Sequence, residues 1–270
     1  MTKQEESRFN PFSARPHKST RIKHIIAIAS GKDGVGKSMI TGLLATSAMQ
    51  SGFRVGILDA DVTGPSIGTM FNIYDSARGS DEGMYPLETK EGIAVISANM
   101  LLENQDVPIV WRGPMIANAV KEFYTNVLWG DLDVLFIDMP PGTGDVPMTV
   151  YQSLPIDGVI IVTTPQDLVS MVVSKAINMA KQMDIEVLGM VENMAWMKCP
   201  HCDQKIYPFG EGRTTSLAKK YDIDLLASLP IDPTYTAASD NGTVDQLVNK
   251  EMQTLIKNLI FKLEQVDENV

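Results

Sequence analysis

Cysteine is almost missing from this chain: 270 residues contain two, Cys199 and Cys202, which excludes a disulfide framework and points to a reducing compartment. Cations are in deficit. Lys and Arg number 23 against 33 Asp and Glu, a formal net charge of −10, so the surface as a whole repels nucleic-acid backbones and anionic lipid. No stretch approaches the roughly 20 apolar residues that a membrane-spanning helix needs. Residues 1–20 mix Lys3, Glu5, Glu6 and Arg8 with Pro11 and Pro16, and carry nothing like the apolar core of a signal peptide. These absences predict a cytoplasmic protein with neither nucleic acid nor membrane as partner. They also suggest a tail over 1–20, one folded unit over 21–264 and a short tail over 265–270.

What is present is an alternation of two periodicities. Ile25 to Ala29, Val55 to Leu58, Ile93 to Ser97, Val134 to Ile137, Val159 to Val162 and Val187 to Val191 are short apolar runs. Continuous runs of this kind suit strands covered on both faces, and the stretches between them are long enough for crossover helices. The predicted fold class is α/β, a doubly wound, mostly parallel sheet with helices on both faces, in a single domain. Residues from Tyr74 to Gly92, with Gly79, Gly83 and Pro86 among many charges, read as a surface excursion. Near the end, Val248, Met252, Leu255, Ile256, Leu259 and Leu263 fall at helical spacing. The adjoining Glu264, Asp267 and Glu268 disfavour a membrane, so this stripe is expected to dock on the fold.

Directly after the first predicted strand stand Gly31, Lys32, Asp33, Gly34, Val35, Gly36, Lys37 and Ser38, which satisfy G-x-x-x-x-G-K-S in the strand–loop–helix setting that a P-loop requires. The glycines let successive backbone N–H groups curl around phosphate oxygens, and the following helix adds its positive end. Lys37 is placed to neutralise the β- and γ-phosphates, and Ser38 to ligate Mg²⁺. The chemistry also needs carboxylates at neighbouring strand ends. Asp59 and Asp61 close the second strand, and Asp138 to Asp145 follow a later one.

A second lysine, Lys32, directly follows the first glycine of the loop, and in this the sequence resembles the deviant-Walker P-loop ATPases related to MinD. Within that group it is similar to the Mrp/ApbC family of iron–sulfur cluster carriers. The shared phrases are Asp59-Ala60-Asp61-Val62-Thr63-Gly64-Pro65-Ser66, Trp111-Arg112-Gly113-Pro114, the Asp138 to Asp145 run, Val191-Glu192-Asn193-Met194, Cys199-Pro200-His201-Cys202 and Leu229-Pro230-Ile231-Asp232-Pro233. The resemblance implies a homodimer sandwiching two ATP molecules, with Lys32 reaching the partner's nucleotide, Asp61 handling the attacking water and Asp138 in the Mg²⁺ shell. It implies an adenine pocket at Asn193 and the Pro230 to Asp232 loop. Arg112 is left open between catalytic, structural and interface roles. Two positions depart from the family pattern. Asp33 replaces a usual glycine and brings negative charge near phosphates, and Met39 replaces a usual hydroxyl residue, leaving its backbone N–H as the remaining contact to the α-phosphate.

Two cysteines placed at random would rarely fall three apart, so the Cys199/Cys202 spacing carries information. Such a pair is a redox dithiol, half of a zinc site or half of an iron–sulfur site, and four thiolates complete either metal centre. One chain supplies two, and the expected dimer supplies the other pair. His201 lies inside the motif but is not counted as a ligand, and the methionines nearby are assigned no chemistry. The leading expectation is an ATPase that holds a labile [4Fe–4S] cluster between subunits and passes it to apo iron–sulfur proteins. A zinc-bridged regulatory ATPase and a MinD/ParA-like positioning ATPase are the alternatives.

Overall fold

Strand β1 (Arg21–Ser30) alternates its side chains between two apolar layers: Ile25, Ala27 and Ala29 face one, Ile26 and Ile28 the other. Both faces of the strand are therefore buried, as in a parallel sheet covered on both sides. The structure, a computed structural model, describes residues 14–62, 64–101, 113–166, 169–211 and 214–268. Around β1 stand β2 (Val55–Asp59), β4 (Ala94–Ser97), β5 (Asp131–Asp138), β6 (Gly158–Thr163) and β7 (Val187–Lys198). Three strands absent from the sequence reading complete the sheet: β3 (Leu87–Glu88), β8 (Lys205–Ile206) and β9 (Leu225–Pro230). The order is β3-β4-β2-β5-β1-β6-β7-β8, with β9 also pairing β7. Pairing is parallel except where β3 meets β4 and β8 meets β7.

Helix α1 (Lys37–Gln50) follows the glycine loop. After it come α2 (Ile67–Met70), α3 (Gly113–Asn126), α4 (Asp145–Ser153), α5 (Val169–Gln182), α6 (Thr214–Tyr221), α7 (Pro233–Asp240) and α8 (Lys250–Glu268). Ile116 and Phe123 of α3, Val150 and Tyr151 of α4, and Val173 and Ile177 of α5 fill one layer. Leu43 and Leu44 of α1 with Ile256, Leu259 and Ile260 of α8 fill the other. The doubly wound, mostly parallel α/β fold is as the apolar runs predicted.

Two boundaries differ from the sequence reading. Residues 1–13 of the expected tail lie outside the described residues. From Ala14 the chain is already packed, with Ala14 N–H donating to the Ser153 carbonyl at 2.7 Å and Trp129 N–H to Thr20 Oγ at 3.1 Å. The expected tail at 265–270 is helical as far as Glu268, because α8 continues. The excursion from Tyr74 is largely exposed, as expected, but is pinned by β3 and by Met84 N–H donating to the Asn126 carbonyl at 2.9 Å.

The stripe of α8 is docked: Met252 and Ile256 are fully buried, although Val248, just before the helix, is exposed. No helix among the described residues is long and apolar enough to cross a membrane. Replacing Ile256 by Ala removes a side chain that packs beneath α1 and leaves a cavity, so stability to urea is expected to drop by about 2–5 kcal/mol. An unchanged unfolding midpoint would mean that α8 is not part of the cooperative core.

Candidate functional site

The C-terminal ends of β1, β5 and β2 lie side by side, because Ile28 is in register with Asp138 and Asp138 with Asp59. This is the edge of an open α/β sheet where ligands bind. The loop 31–36 leaves β1 there and enters α1 through Gly36, whose φ of +80° is left-handed. A side chain at Gly36 would also collide with the Asn193 amide. Gly31 has a different reason to lack one: a Cβ would stand 2.7 Å from the Val172 carbonyl carbon of α5. The first glycine thus answers to packing and the last to backbone conformation.

Lys37 points into the site and is buried. Its Nζ lies 2.9 Å from Asp138 Oδ1 and 3.6 Å from Asp61 Oδ2. Burial alone pulls the ammonium's pKa down, but Asp138, with help from Asp61 and Asp59, outweighs that and holds it above the usual lysine value. Asp138 is gripped from three sides. Ser38 Oγ donates to its Oδ2 at 2.6 Å, Thr41 Oγ donates to its Oδ1 at 2.8 Å, and Lys37 supplies the ion pair. Ser38 and Asp138 are adjacent hard oxygen donors of the kind Mg²⁺ takes, so the residues present fit the ion.

Behind them Asp59 is wholly buried. It accepts from Asp61 N–H and from Ser97 Oγ, each at 3.1 Å. Burial, with the neighbouring Asp138 charge, pushes its carboxyl up to about 8. Sequence reasoning placed Asp59 among the strand-end carboxylates but gave it no role, and it missed Thr41. Thr41 was findable, since it lies one helical turn beyond Lys37 on the same face.

On the other side of the loop, Asn193 Nδ2 donates to the Val35 carbonyl at 2.9 Å. A cavity of about 280 Å³ opens beside it, lined among others by Met39, Asn193, Met194, Pro230, Asp232 and Tyr235. Asp232 caps α7, accepting from Thr234 N–H at 2.9 Å. Met39 turns toward α7, where Ser239 Oγ approaches its sulfur at 3.7 Å. Asp33 is exposed. Lys32 Nζ donates to Gln166 Oε1 of its own chain at 2.8 Å, and no sequence signal pointed to Gln166. The structure thus brings Ser38, Asp61 and Asp138 together at Lys37, and Gly36, Met39, Asn193, Pro230 and Asp232 around the neighbouring cavity. Thr63, Trp111 and Arg112 lie outside the described residues.

The cysteines stand apart, at the turn between β7 and β8. β7 carries the chain past Asn193 to Lys198, and Cys199 begins the turn. The turn is closed by Cys199 N–H donating to the Gln204 carbonyl at 2.9 Å and by the Lys198–Asp203 ion pair at 3.0 Å. Both thiols are free, Cys199 half-buried and Cys202 exposed. Backbone N–H of His201, and then the Cys202 thiol and N–H, draw the Cys199 thiol below its ordinary range. Ile206, Tyr207 and Phe209 beside it are exposed. Among the described residues no three His, Cys, Asp or Glu side chains gather as a metal site.

Over residues 21–264 the chain matches the ParA group family described as NUBPL iron-transfer P-loop NTPase. It is 45% identical over 223 residues to the iron–sulfur cluster carrier protein of Aquifex aeolicus, a match covering 82% of this chain and 61% of that protein. The chain therefore spans less than two thirds of the Aquifex protein's length. It is 40% identical over 251 residues to the iron–sulfur cluster carrier protein of Methanocaldococcus jannaschii, covering 91% of this chain and 87% of that one. A solved nucleotide-binding protein from Archaeoglobus fulgidus, in complex with ADP, aligns with a TM-score of 0.76 at 45% identity, over 85% of this chain and 90% of its own.

Asp59 makes stability depend on pH in the nucleotide-free, Mg²⁺-free protein. Its folded value, about 8, lies above the ordinary 3.8, so between those limits the folded state binds more protons and stability falls as pH rises. Asp59→Asn removes that contribution while keeping the shape. The urea midpoint of the variant relative to the parent is expected to climb between about pH 5 and 8. A difference that stays constant with pH would refute the assignment.

Proposed function

The chain belongs to the iron-transfer P-loop NTPase family, and from that premise we propose that it is an ATP-driven carrier that holds a labile [4Fe–4S] cluster between two subunits and delivers it to apo iron–sulfur proteins. That it is an ATPase follows from the family and from the ADP-bound relative of the same fold. The observation that carries the further reading is the hairpin: two thiols, one drawn toward thiolate, at an exposed tip flanked by exposed apolar side chains. Two thiolates are half of a tetrahedral cluster's complement. A second copy of the hairpin supplies the rest, and its apolar flanks cover those of the first.

In this reading residues 21–264 are the ATPase unit, flanked by terminal segments, and the protein works in the cytoplasm. The loop 31–36 and the N–H groups of Lys37, Ser38 and Met39 cradle the phosphates, and exposed Asp33 keeps its carboxylate toward solvent. Lys37, which lies 2.9 Å from Asp138, turns to the β- and γ-phosphates, which offer it more negative charge. A Mg²⁺ ion held by Ser38 and Asp138 adds charge neutralisation on the phosphates. Asp61, whose backbone is fixed by Asp59, orients the attacking water. Lys32 reaches the nucleotide of the partner subunit. Asn193, Pro230 and Asp232 surround the adenine. One N–H of the Asn193 amide is committed to Val35, which leaves its other N–H and its oxygen for the base.

Anaerobic reconstitution with iron and sulfide tests the cargo. The parent protein is expected to take up about four irons per dimer and to absorb near roughly 400 nm, and Cys199→Ala/Cys202→Ala to do neither. Zinc bound at about one per dimer without iron uptake would replace the carrier by a zinc-bridged ATPase. No metal bound at all would overturn the metallocentre altogether.

A further inference from the structure

The Lys32 side chain is held within its own subunit. The residue's backbone is fixed. Ser30 Oγ donates to the Lys32 carbonyl at 2.9 Å, and Gly142 N–H donates to the Ser30 carbonyl at 2.9 Å. Gly31 just before it is pressed against the Val172 backbone, with no room even for a Cβ. Only the four-carbon side chain of Lys32 is free to move. That side chain, half-buried, ends on Gln166 Oε1 at 2.8 Å. Gln166 lies three residues beyond the end of β6, in the connection to α5.

We infer that Gln166 is the resting acceptor of Lys32, a positioning residue that parks the ammonium within its own subunit until a partner's nucleotide draws it across. The inference rests on the reading that Lys32 acts in trans. The chemistry of the acceptor supports it. The nearby Lys37 is paired with carboxylates, at 2.9 Å to Asp138 and 3.6 Å to Asp61. Lys32 instead meets a neutral amide. A neutral oxygen satisfies one ammonium proton but leaves the charge uncompensated, and such a bond is weaker than one between opposite charges. A triphosphate, carrying several negative charges, outcompetes an amide easily and a carboxylate much less so. Gln166 thus holds the side chain back within its own subunit, at a holding strength that nucleotide overcomes.

Each dimer exchanges two such contacts, so a change in the holding strength of one enters the dimerisation constant squared. Sedimentation of the full chain with Mg²⁺ and adenylyl-imidodiphosphate, an ATP analogue that resists hydrolysis, reads this out. Gln166→Ala removes the competitor and is expected to tighten the nucleotide-dependent dimer about tenfold, roughly threefold per contact. Gln166→Glu replaces an amide by a carboxylate and is expected to weaken the dimer by at least about as much. Opposite signs from two substitutions at one position are what a merely structural role does not produce. If both variants shift the same way, or neither shifts, while Lys32→Ala abolishes nucleotide-dependent dimerisation, the parking role is overturned and the trans role of Lys32 stands. If Lys32→Ala dimerises like the parent, the trans role falls and the parking role falls with it.

Discussion

The buried ion pair between Lys37 and Asp138 is the contact on which the rest of the site depends. Three carboxylates, Asp59, Asp61 and Asp138, are brought together by strand ends in register, and one ammonium stands among them. Unpaired charges at such depth are costly. The structure meets the cost unevenly. Asp138, gripped by Lys37, Ser38 and Thr41, has the pairing that sustains a buried anion. Asp59 accepts one backbone N–H and one hydroxyl and is driven toward its neutral form. An anionic site that a single lysine only partly balances has a strong electrostatic reason to take up a divalent cation, and a cation brings phosphate with it.

β7 makes the second connection, between the cavity beside Asn193 and the cysteines. Its first half is an ordinary parallel strand between β6 and β9. Glu192 fastens it, accepting from Thr214 Oγ of α6 and Ser228 Oγ of β9. Past Glu192 the register shifts, and Met194 takes φ +57°, a left-handed value that a side-chain-bearing residue adopts at a cost. Beyond the irregularity Trp196 accepts from Ile231 N–H at 2.7 Å, and Lys205 of β8 lies over its ring at 4.1 Å. One continuous strand therefore touches the loop through Asn193, the cavity through Met194, and the hairpin through Trp196 to Lys198. A displacement at this cavity has a covalent path to the thiols, and the irregular segment at Met194 is where that path is strained.

How much of this was legible depended on whether the signal was local. The central strands were readable because burial on both faces turns each into an apolar run, as in Val134 to Ile137. The loop was readable because phosphate binding fixes residue types at fixed spacing. β9 was missed since Ser228 and Pro230 break its run and it is only partly buried. β8 was missed since it is two residues long and exposed. Ala14 and Thr20 are polar-tail residues by sequence and packed residues in the fold, because their partners Ser153 and Trp129 are more than 100 positions away. The cysteine pair was visible as a spacing, but its place at a hairpin tip was not. Gln166 gave no signal, since its partner is 134 positions distant.

The two loop lysines differ in a way that orders events under the proposed mechanism. Lys37 is buried and tied to carboxylates, so it leaves them only for a ligand of higher negative charge that also brings a cation to take its place at Asp138. Its exchange therefore accompanies nucleotide binding within one subunit. Lys32 is half-buried and tied to an amide, so its exchange needs no replacement cation, only an acceptor within reach. That acceptor arrives with the partner. A strongly held lysine that responds to nucleotide and a weakly held one that responds to a second subunit give the same loop two thresholds. The sequence of binding followed by pairing then follows from the difference between a carboxylate and an amide.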